Sequence, residues 1–425
     1  MALEASRLAT EDVISSMPDN VITHILDRLP VQDAVKTSIL SRNWRFKWTT
    51  LSQLVFDDNF LKYLSKYKWL KKKFGLIISN LLLNHKGNIT KFFLYFEESC
   101  FDEVDEGNVL QWILFLSGKG VKDITIWKMF LSPFQLPTHL FSCSELTHLK
   151  LFYCSFHPPP NFRGFPNLLS LEFSFVEFDN SKFGEFITQC PLLEILNMRN
   201  QRHIFEAMDG DILDTDTYYV GKVKLVEIAK LANLKRLSLS LCETEIIRDS
   251  RNIFEFTGFF PKLQQLNLDF VMCKLAEDGA KTRCPTTFPC LTALELSTIN
   301  LDDGVLLSCA LELIRSCPNL QTLEISANDL VDLVLLQVDD PTPAVGSPEV
   351  DYNTTTELLQ LRTVDISVYK GSENEVCLIK YLLACSPFLK KFVVRLHSDL
   401  SYDEKWRFFT KLSMIPQGSV AIDLD

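Results

Sequence analysis

The 425-residue chain lacks the marks of membrane, secreted and metal-binding proteins. No apolar run approaches the ~18 residues that a membrane-spanning helix needs. The N-terminal segment MALEASRLATED has no apolar core of a secretion signal. The 12 cysteines form no C-x-x-C pair, which argues against a disulfide framework. These absences predict a soluble protein of the cytoplasm and/or the nucleus that has no membrane partner.

Catalytic motifs are missing as well. The seven histidines include no H-E-x-x-H, and no serine lies in G-x-S-x-G. Gly118-Lys119-Gly120 lacks both the upstream glycine and the Ser or Thr of a phosphate-binding loop. Cys284 and Cys290 do not have the spacing of a zinc knuckle. We therefore predict a protein that is not an enzyme and that needs no cofactor and no metal.

The formal net charge of −11 is unevenly distributed. Residues 52–91 carry eight Lys against two Asp, whereas residues 316–361 carry eight Asp or Glu and no Lys or Arg. The acidic total argues against nucleic acid as the main partner. The lysines of 62–74 leave two interpretations open, a nucleic-acid or inositol-phosphate site and the solvated face of an amphipathic helix. The second is favoured, because one helical stripe collects the apolar residues Tyr63, Tyr67, Leu70, Phe74, Ile77 and Leu81.

What the chain does contain is a repeated hydrophobic phrase, L-x-x-(L/F)-x-(L/I/M/F/V). Six copies start two residues after a proline, at Leu168, Leu193, Leu263, Leu291, Leu320 and Leu389. Three more copies start at Leu146, Leu234 and Leu361, and the most regular copies are 28 or 29 residues apart. Apolar positions 1, 4 and 6 predict a turn followed by a short strand with one inward face. Stacked copies predict an α/β fold, the curved parallel sheet of a leucine-rich-repeat solenoid with helices and loops outside.

Spacing and composition predict the domain organisation. We expect the repeats to occupy 52–357, with degenerate strands at 54–56, 91–96 and 123–127 and helical patterns at 62–85 and 108–118. Two intervals of 41 residues, after Leu193 and after Leu320, each hold a poorly matching repeat, a loop or both. The second interval includes residues 339–357, which read as an exposed acidic insertion. Cys143, Cys190, Cys317 and Cys385 lie just upstream of the phrase, where a small buried thiol suits a repeat corner.

Residues 11–51, preceded by a tail over 1–10, do not follow the repeat pattern. Asp19 is expected to cap a helix over 20–28, and Pro30 interrupts it before a second helix over 31–37. Ser41 is expected to cap a third helix that ends at Trp48. This N-terminal module of about 40 residues is too small to bury a core that would make it stable alone. It is rich in apolar groups that favour a partner.

The sequence DVISSMPDNVITHILDRLPVQDAVKTSILSRNWRFKWTTL (12–51) resembles the plant F-box pattern, D-x-I-S-x-L-P-D, then I-L-x-x-L-P, then T-S-x-L-S-x-x-W-x-x-x-W. Met17 replaces the usual Leu before Pro18, and Asn43 replaces a frequent Lys or Arg. The tail over 358–425 resembles the FBD region, with strands at 361–368, 389–396 and 419–424 and helices at 373–384 and 401–413. Taken together, the chain looks like a plant F-box/FBD/leucine-rich-repeat protein.

This resemblance implies a substrate receptor of a cullin-RING (SCF-type) ubiquitin ligase. The F-box would dock a Skp-type adaptor, and through it a cullin, while the repeats would hold an unidentified target protein for ubiquitination. The apolar surface expected to face the adaptor consists of Met17, Pro18, Val21, Ile22, Leu29, Pro30, Ile39, Leu40, Trp44 and Trp48.

Target recognition is expected on outward positions of the phrase, because the inward positions are committed to the core. The candidates are Gln264, Gln265, Asn267, Thr292, Glu295, Gln321 and Glu324. Two other functions stay open at this point, a non-ligase F-box scaffold and a phosphate- or nucleic-acid-binding repeat protein that uses the lysines of 62–73.

Overall fold

Parallel strands are the main elements of the described residues. The computed structural model describes residues 17–67, 73–96, 106–128, 133–178, 180–198, 228, 230–240, 260–270, 287–327, 357–368, 370–397, 400–414 and 422–424. The chain divides into two compact units, Met1–Leu168 and Leu169–Asp425.

The first unit begins with the N-terminal module. It contains helices α1 (Asp19–Leu26) and α2 (Val31–Lys36), followed by 3-10 turns at Thr37–Ile39 and Lys47–Thr50. Pro18 and Pro30, whose fixed backbone suits a helix start, occupy the two N-cap positions. Asp19 is therefore the first helical residue and not the predicted cap. The predicted third helix over 41–48 is wrong, because only turns follow Ser41, although its hydroxyl accepts a hydrogen bond from the Trp44 amide at 3.3 Å.

Strands and outer helices complete the first unit. Strands β1 (Gln53–Phe56), β2 (Lys91–Phe96), β3 (Asp123–Lys128) and β5 (His148–Phe152) pair in that order, all in parallel. Short strands β4 (Phe134–Gln135) and β6 (Cys154–Phe156) pair separately. The helices are α3 (Asp58–Ser65), α4 (Phe74–Asn84) and α5 (Glu106–Ser117), with a 3-10 turn at Thr138–Ser142. The degenerate strands and the helical pattern at 108–118 are thus confirmed.

The lysine-rich helix departs from its prediction. The pattern over 62–85 is divided between α3, which ends at Ser65, and α4, which starts at Phe74. The buried faces are Phe60, Leu61 and Leu64 in the first helix and Phe74, Ile78 and Leu82 in the second. Of the predicted apolar stripe, Phe74 is buried and Tyr63, Ile77 and Leu81 are half-buried, whereas Tyr67 is exposed. Leu70 and the lysines of 68–72 lie outside the described residues.

The second unit is one parallel ladder in which each remaining copy of the phrase gives one strand, followed by a last short strand without the phrase. In order, its strands are β7 (Ser170–Ser174), β9 (Ile195–Met198), β10 (Arg236–Ser240), β11 (Gln265–Asp269), β12 (Ala293–Ile299), β13 (Thr322–Ala327), β14 (Thr363–Val368), β15 (Lys391–Leu396) and β16 (Ile422–Leu424). A short strand β8 (Glu177–Phe178) follows β7. Helices α6 (Asn180–Thr188), α7 (Gly304–Arg315), α8 (Glu373–Cys385) and α9 (Tyr402–Ser413) connect the strands.

Helix starts in the second unit follow ordinary capping chemistry. The Asp303 carboxylate accepts hydrogen bonds from the amides of Val305 and Leu306 at the start of α7. Reciprocal capping boxes start α8 at Ser372 and Glu375 and α9 at Ser401 and Glu404. The strands and helices predicted for 358–425 are therefore present, and the described part of the last strand is Ile422–Leu424.

The two 41-residue intervals add no strand between their neighbours in the ladder. β9 pairs directly with β10, and β13 pairs directly with β14, with uninterrupted registers. Each interval thus connects two strands that are adjacent in the ladder. The predicted exposed insertion over 339–357 lies almost wholly outside the described residues.

The core lies under the inward face of the ladder, as the period-two pattern predicted. Phrase positions 1, 4 and 6 are buried, as in Leu263, Leu266 and Leu268. The repeat-corner thiols Cys143, Cys190, Cys317 and Cys385 are buried and free of disulfides. The Cys190 and Cys317 thiols donate to carbonyls four residues earlier, at 3.5 and 3.0 Å. Burial raises the pKa of the Cys143 thiol to about 11, so it is held as an uncharged core group.

A side-chain hydrogen bond that the sequence did not reveal ties successive repeats together. The asparagine before the phrase donates its amide to the carbonyl two residues before the preceding phrase. Asn319 donates to Pro289 at 2.7 Å, and Asn233 donates to Pro191 at 2.9 Å. In the first unit, Asn167 donates to Ser144 at 3.1 Å. These bonds satisfy turn carbonyls that the strand ladder does not reach.

Candidate functional site

The N-terminal module divides its apolar side chains between an interior and an exposed surface. The interior holds Ile22, Leu26, Val31, Ala34 and Trp44. Six large apolar side chains between residues 21 and 46 are exposed, from 39% for Val21 to 84% for Ile39; they are Val21, Ile25, Leu29, Ile39, Leu40 and Phe46. We call this set the apolar surface of the module. Exposed apolar groups at this density are typical of a protein interaction site.

The predicted adaptor-facing residues do not all lie on this surface. Val21, Leu29, Ile39 and Leu40 belong to it, Pro18 and Pro30 are exposed beside it, and Met17 and Trp48 are half-buried. Ile22 and Trp44 are 1% and 7% exposed, so the prediction that they face a partner is corrected. They pack inside the module, because Ile22 and Leu26 share the inward face of α1.

Two members of the apolar surface, Ile25 and Phe46, were not predicted from the sequence. Ile25 lies four residues after Val21, so helical spacing puts both on one face of α1. That spacing was the available signal. Phe46 lies in the turn before Lys47, with the Arg45 and Lys86 cations 5.7 and 5.8 Å from its ring centroid. No periodic pattern marks a residue in such a turn.

Polar contacts hold α1 against the end of the module. Asp19 forms an ion pair with Lys47. The hydroxyls of Thr23 and Thr50 share a hydrogen bond of 3.0 Å. Asp27 accepts two hydrogen bonds from Ser52, the residue before β1. The apolar surface is therefore carried on a module that is fixed at both ends of α1.

The module also bonds to the turn that precedes β2. The backbone carbonyl of Thr49 accepts hydrogen bonds from the amides of Lys86 and Gly87, at 2.8 and 3.2 Å. The imidazole Nε2 of His85 donates to the Leu51 carbonyl at 2.7 Å. Burial of the ring lowers the pKa of His85 below its ordinary value, against the opposing effect of that hydrogen bond. The neutral imidazole is therefore part of the junction between the module and the first repeat.

A groove of about 330 Å³ crosses the outward face of the ladder in the second unit. Its lining includes three acidic and one basic side chain, Glu172, Glu295, Glu324 and Arg236. Four of the predicted target-binding residues line it as well, namely Gln265, Asn267, Glu295 and Glu324. The strand registers bring these residues together from β11, β12 and β13.

The other three predicted target-binding residues have a different position. Gln264, Thr292 and Gln321 occupy phrase position 2, just before the strands, and do not line the groove. Their backbones join the repeats, since the Thr292 amide donates to the Gln264 carbonyl at 2.9 Å and the Gln321 amide to the Thr292 carbonyl at 2.8 Å. Gln264 and Gln321 are exposed and Thr292 is half-buried, so their side chains lie at the approach to β11, β12 and β13.

In the part of the chain that the structure describes, no group of three or more His, Cys, Asp or Glu side chains is arranged to hold a metal ion. None of the helices within the described ranges is long and apolar enough to cross a membrane.

Family models match two segments of the chain. The F-box domain matches residues 14–55, and the leucine-rich repeats of the FBD-associated F-box protein At5g56370 match residues 109–239. The first segment contains the apolar surface and its polar contacts. The second runs from α5 to β10 and includes the first strands that line the groove.

Similar proteins of Arabidopsis thaliana extend over nearly the whole chain. F-box/FBD/LRR-repeat protein At1g13570 is 30% identical over 419 residues, 96% of this chain and 96% of that protein. Putative F-box/LRR-repeat protein At3g42770 is 26% identical over 97% of this chain and 79% of that protein. F-box/FBD/LRR-repeat protein At3g26920 is 25% identical over 98% and 96% of the two chains. The combination of an N-terminal F-box, a parallel ladder of leucine repeats and this end-to-end similarity shows that the chain belongs to the F-box/FBD/LRR-repeat family.

Proposed function

We propose that this protein is the substrate-receptor subunit of an SCF-type E3 ubiquitin ligase. The F-box binds a Skp-type adaptor and, through it, a cullin, and the repeats bind the target protein for ubiquitination. The observation that carries the proposal is the apolar surface of the F-box. Ile39 and Leu40 are 84% and 67% exposed in a module whose own core is already filled by Ile22, Leu26 and Trp44.

The proposed role requires binding and positioning, not catalysis by this chain. A target held by one part of the protein and an adaptor held by another become tethered, so their encounter no longer depends on free diffusion. The contacts between α1 and Ser52 support this role, because they fix the adaptor-binding surface to the strand that opens the repeats. The groove on β7 to β13 is proposed as the target-binding site. The proposed location is the cytoplasm and/or the nucleus.

Adaptor capture provides the test. The full chain is coexpressed with a tagged Skp-type adaptor, and the amount copurified is compared with that of an Ile39→Asp/Leu40→Asp variant. Two charges placed at exposed interface anchors should reduce capture by about tenfold or more. Leu83→Asp is the matched control, because Leu83 is 78% exposed on α4, outside the F-box.

The outcomes separate the proposal from its alternatives. Equal capture by the double variant and the parent would remove the apolar surface as the adaptor site. Capture of the adaptor without recruitment of a cullin would favour a non-ligase scaffold. A steep loss of binding to nucleic acid with rising salt would instead favour a nucleic-acid-binding repeat protein.

A further inference from the structure

Asn267, in the middle of the groove, has an amide group that the described residues leave without a hydrogen bond. Its side chain is only 6% exposed, yet neither its oxygen nor its nitrogen has a partner within the described ranges. The side-chain oxygen of Asn197, two strands away, is also buried and has no hydrogen-bond partner within the described residues. Both residues line the groove. Buried polar groups are normally paired, so the unpaired carboxamide of Asn267 and the unpaired amide oxygen of Asn197 in one groove indicate that a ligand completes them.

The two asparagines belong to a row of polar residues in register across six strands. From β7 to β13 the row reads Glu172, Asn197, Ser238, Asn267, Glu295 and Glu324. All six line the groove, and we call them the polar row. With neighbouring strands about 4.8 Å apart, the polar row is about 24 Å long. An extended peptide, which advances about 3.3 Å per residue, spans that length with about seven residues.

The charges of the polar row stand at its ends. Glu172 lies at one end, and Glu295 and Glu324 lie at the other, with the uncharged residues between them. Glu172 and Glu295 are half-buried, and Glu295 also accepts a hydrogen bond from the Ser297 hydroxyl at 3.1 Å. Arg236 lines the groove outside the row, in register with Gln265. Carboxylates in a partly desolvated groove attract cations and repel phosphates.

We propose that the polar row binds an extended segment of the target protein that carries a Lys or Arg at each end. The backbone of the central residues pairs with the carboxamides of Asn197 and Asn267. The basic side chains lie against Glu172 at one end and against Glu295 and Glu324 at the other. This inference deepens the proposed function and rests on it, since it names the chemistry of the target.

Geometry and hydrogen-bonding capacity both suit a peptide. A peptide unit offers one N–H donor and one carbonyl acceptor, and a carboxamide offers the complementary pair. A donor and an acceptor in the same small group are what Asn267 has left unpaired. Glu295 pairs in register with Asn267, so a basic side chain held at Glu295 would bring the peptide backbone next to the amide.

A selection experiment tests the proposal on the complete complex. The full chain, bound to its adaptor, is immobilised and offered a library of random peptides about nine residues long displayed on messenger RNA. The parent should enrich peptides with two basic residues about six positions apart, the distance that separates Glu172 from Glu295 in an extended chain. The selection is repeated with Glu172→Gln, with Glu295→Gln/Glu324→Gln and with Asn267→Leu.

Each variant has its own expected result. Glu172→Gln should remove the basic preference at one end of the peptide, and the double variant should remove it at the other, which also fixes the direction of binding. Asn267→Leu should lower recovery about tenfold and leave the basic preference intact, because an apolar side chain of similar size replaces only the amide. Glu185→Gln, an exposed change on α6 of the same unit, is the control and should match the parent.

The opposite results overturn the inference. Enrichment of acidic or uncharged peptides, no enrichment at all, or an unchanged basic preference in all carboxylate variants would each exclude a basic peptide from the polar row. Adaptor capture is measured on the same preparations. If capture is intact and selection fails, only this inference falls, whereas a parent that does not capture the adaptor removes the proposed function itself.

Discussion

Ser52 donates two hydrogen bonds to the carboxylate of Asp27, one from its backbone nitrogen at 2.8 Å and one from its hydroxyl at 2.6 Å. Asp27 follows the last residue of α1, and Ser52 precedes the first residue of β1. The pair therefore joins the first helix of the F-box to the first strand of the repeats. The backbone carbonyl of Ser52 in turn accepts hydrogen bonds from the amides of Thr90 and Lys91, where β2 begins. One residue thus links the F-box to two strands.

Asp27→Ala should destabilise the F-box and its junction by about 2 kcal/mol, because it removes a charged acceptor from two half-buried donors. Urea denaturation of the full chain measures the loss. Asp33→Ala is the control, since the contact of the Asp33 side chain within the described residues is a surface ion pair with Lys36 at 2.8 Å, and its loss should cost less than about 0.5 kcal/mol. Equal costs for the two variants would show that the Asp27 junction contributes no more than a surface charge.

Ile22→Ala should lower mainly the stability of the fold, whereas Leu29→Ala should lower mainly the affinity for the adaptor. Ile22 is buried, so its truncation should cost about 2 to 4 kcal/mol of stability through the cavity that it leaves. Leu29 is 41% exposed, so its truncation should lower adaptor affinity about tenfold with little change in stability. Denaturation and adaptor titration on the same two proteins separate these effects. Weaker adaptor binding in a fully folded Ile22→Ala variant would return Ile22 to the interface.

The ladder was predictable because its register is set by which face is buried. In phrases such as 263–268, burial of the leucines decides which face of the sheet every side chain of the strand takes. A shift of the register by one residue would expose those leucines. The sequence could not reveal that strands separated by 41 residues are direct neighbours. Asn197, Ser238 and Asn267 form one row only because β9 pairs with β10 across such an interval. The groove is therefore a property of lateral pairing, which a one-dimensional pattern does not contain.

The F-box was less predictable, because non-local bonds outweigh its local signals. Ser41 makes the predicted hydrogen bond to the Trp44 amide, yet no α-helix follows it in the described residues. The Thr49 carbonyl bonds instead to the turn at Lys86 and Gly87, a contact of high sequence separation. The composition of residues 17–48 identifies apolar residues but not their direction. Tertiary packing decided that Ile22 and Trp44 lie inside and that Ile39 and Leu40 lie outside.

Asn319→Ala should destabilise the second unit by about 1 kcal/mol, because it leaves the turn carbonyl of Pro289 without its donor. Asn319→Asp should cost at least as much, since it places a carboxylate oxygen against a carbonyl oxygen. Gln321→Ala is the neighbouring control, because that side chain is exposed and only its backbone joins the repeats. Thermal and urea denaturation report the differences. If Gln321→Ala were as costly as Asn319→Ala, the asparagine bond would not be a specific link between repeats.

His85 should make the first unit sensitive to acid. Burial lowers the pKa of its imidazole below the ordinary value of 6.5, so the folded state excludes a proton that the unfolded chain accepts. Above pH 6.5 neither state binds the proton and the stability is fully present; as the pH falls from 6.5 through the folded pKa, stability is lost. His85→Gln keeps a donor for the Leu51 carbonyl and cannot titrate, so between about pH 7.5 and about pH 5 it should lose less stability than the parent. His157→Gln, a change of an exposed histidine, should retain the acid sensitivity of the parent. Equal losses in the parent and in His85→Gln would mean that other groups set the acid response, and that the neutral imidazole serves the junction through its hydrogen bond alone.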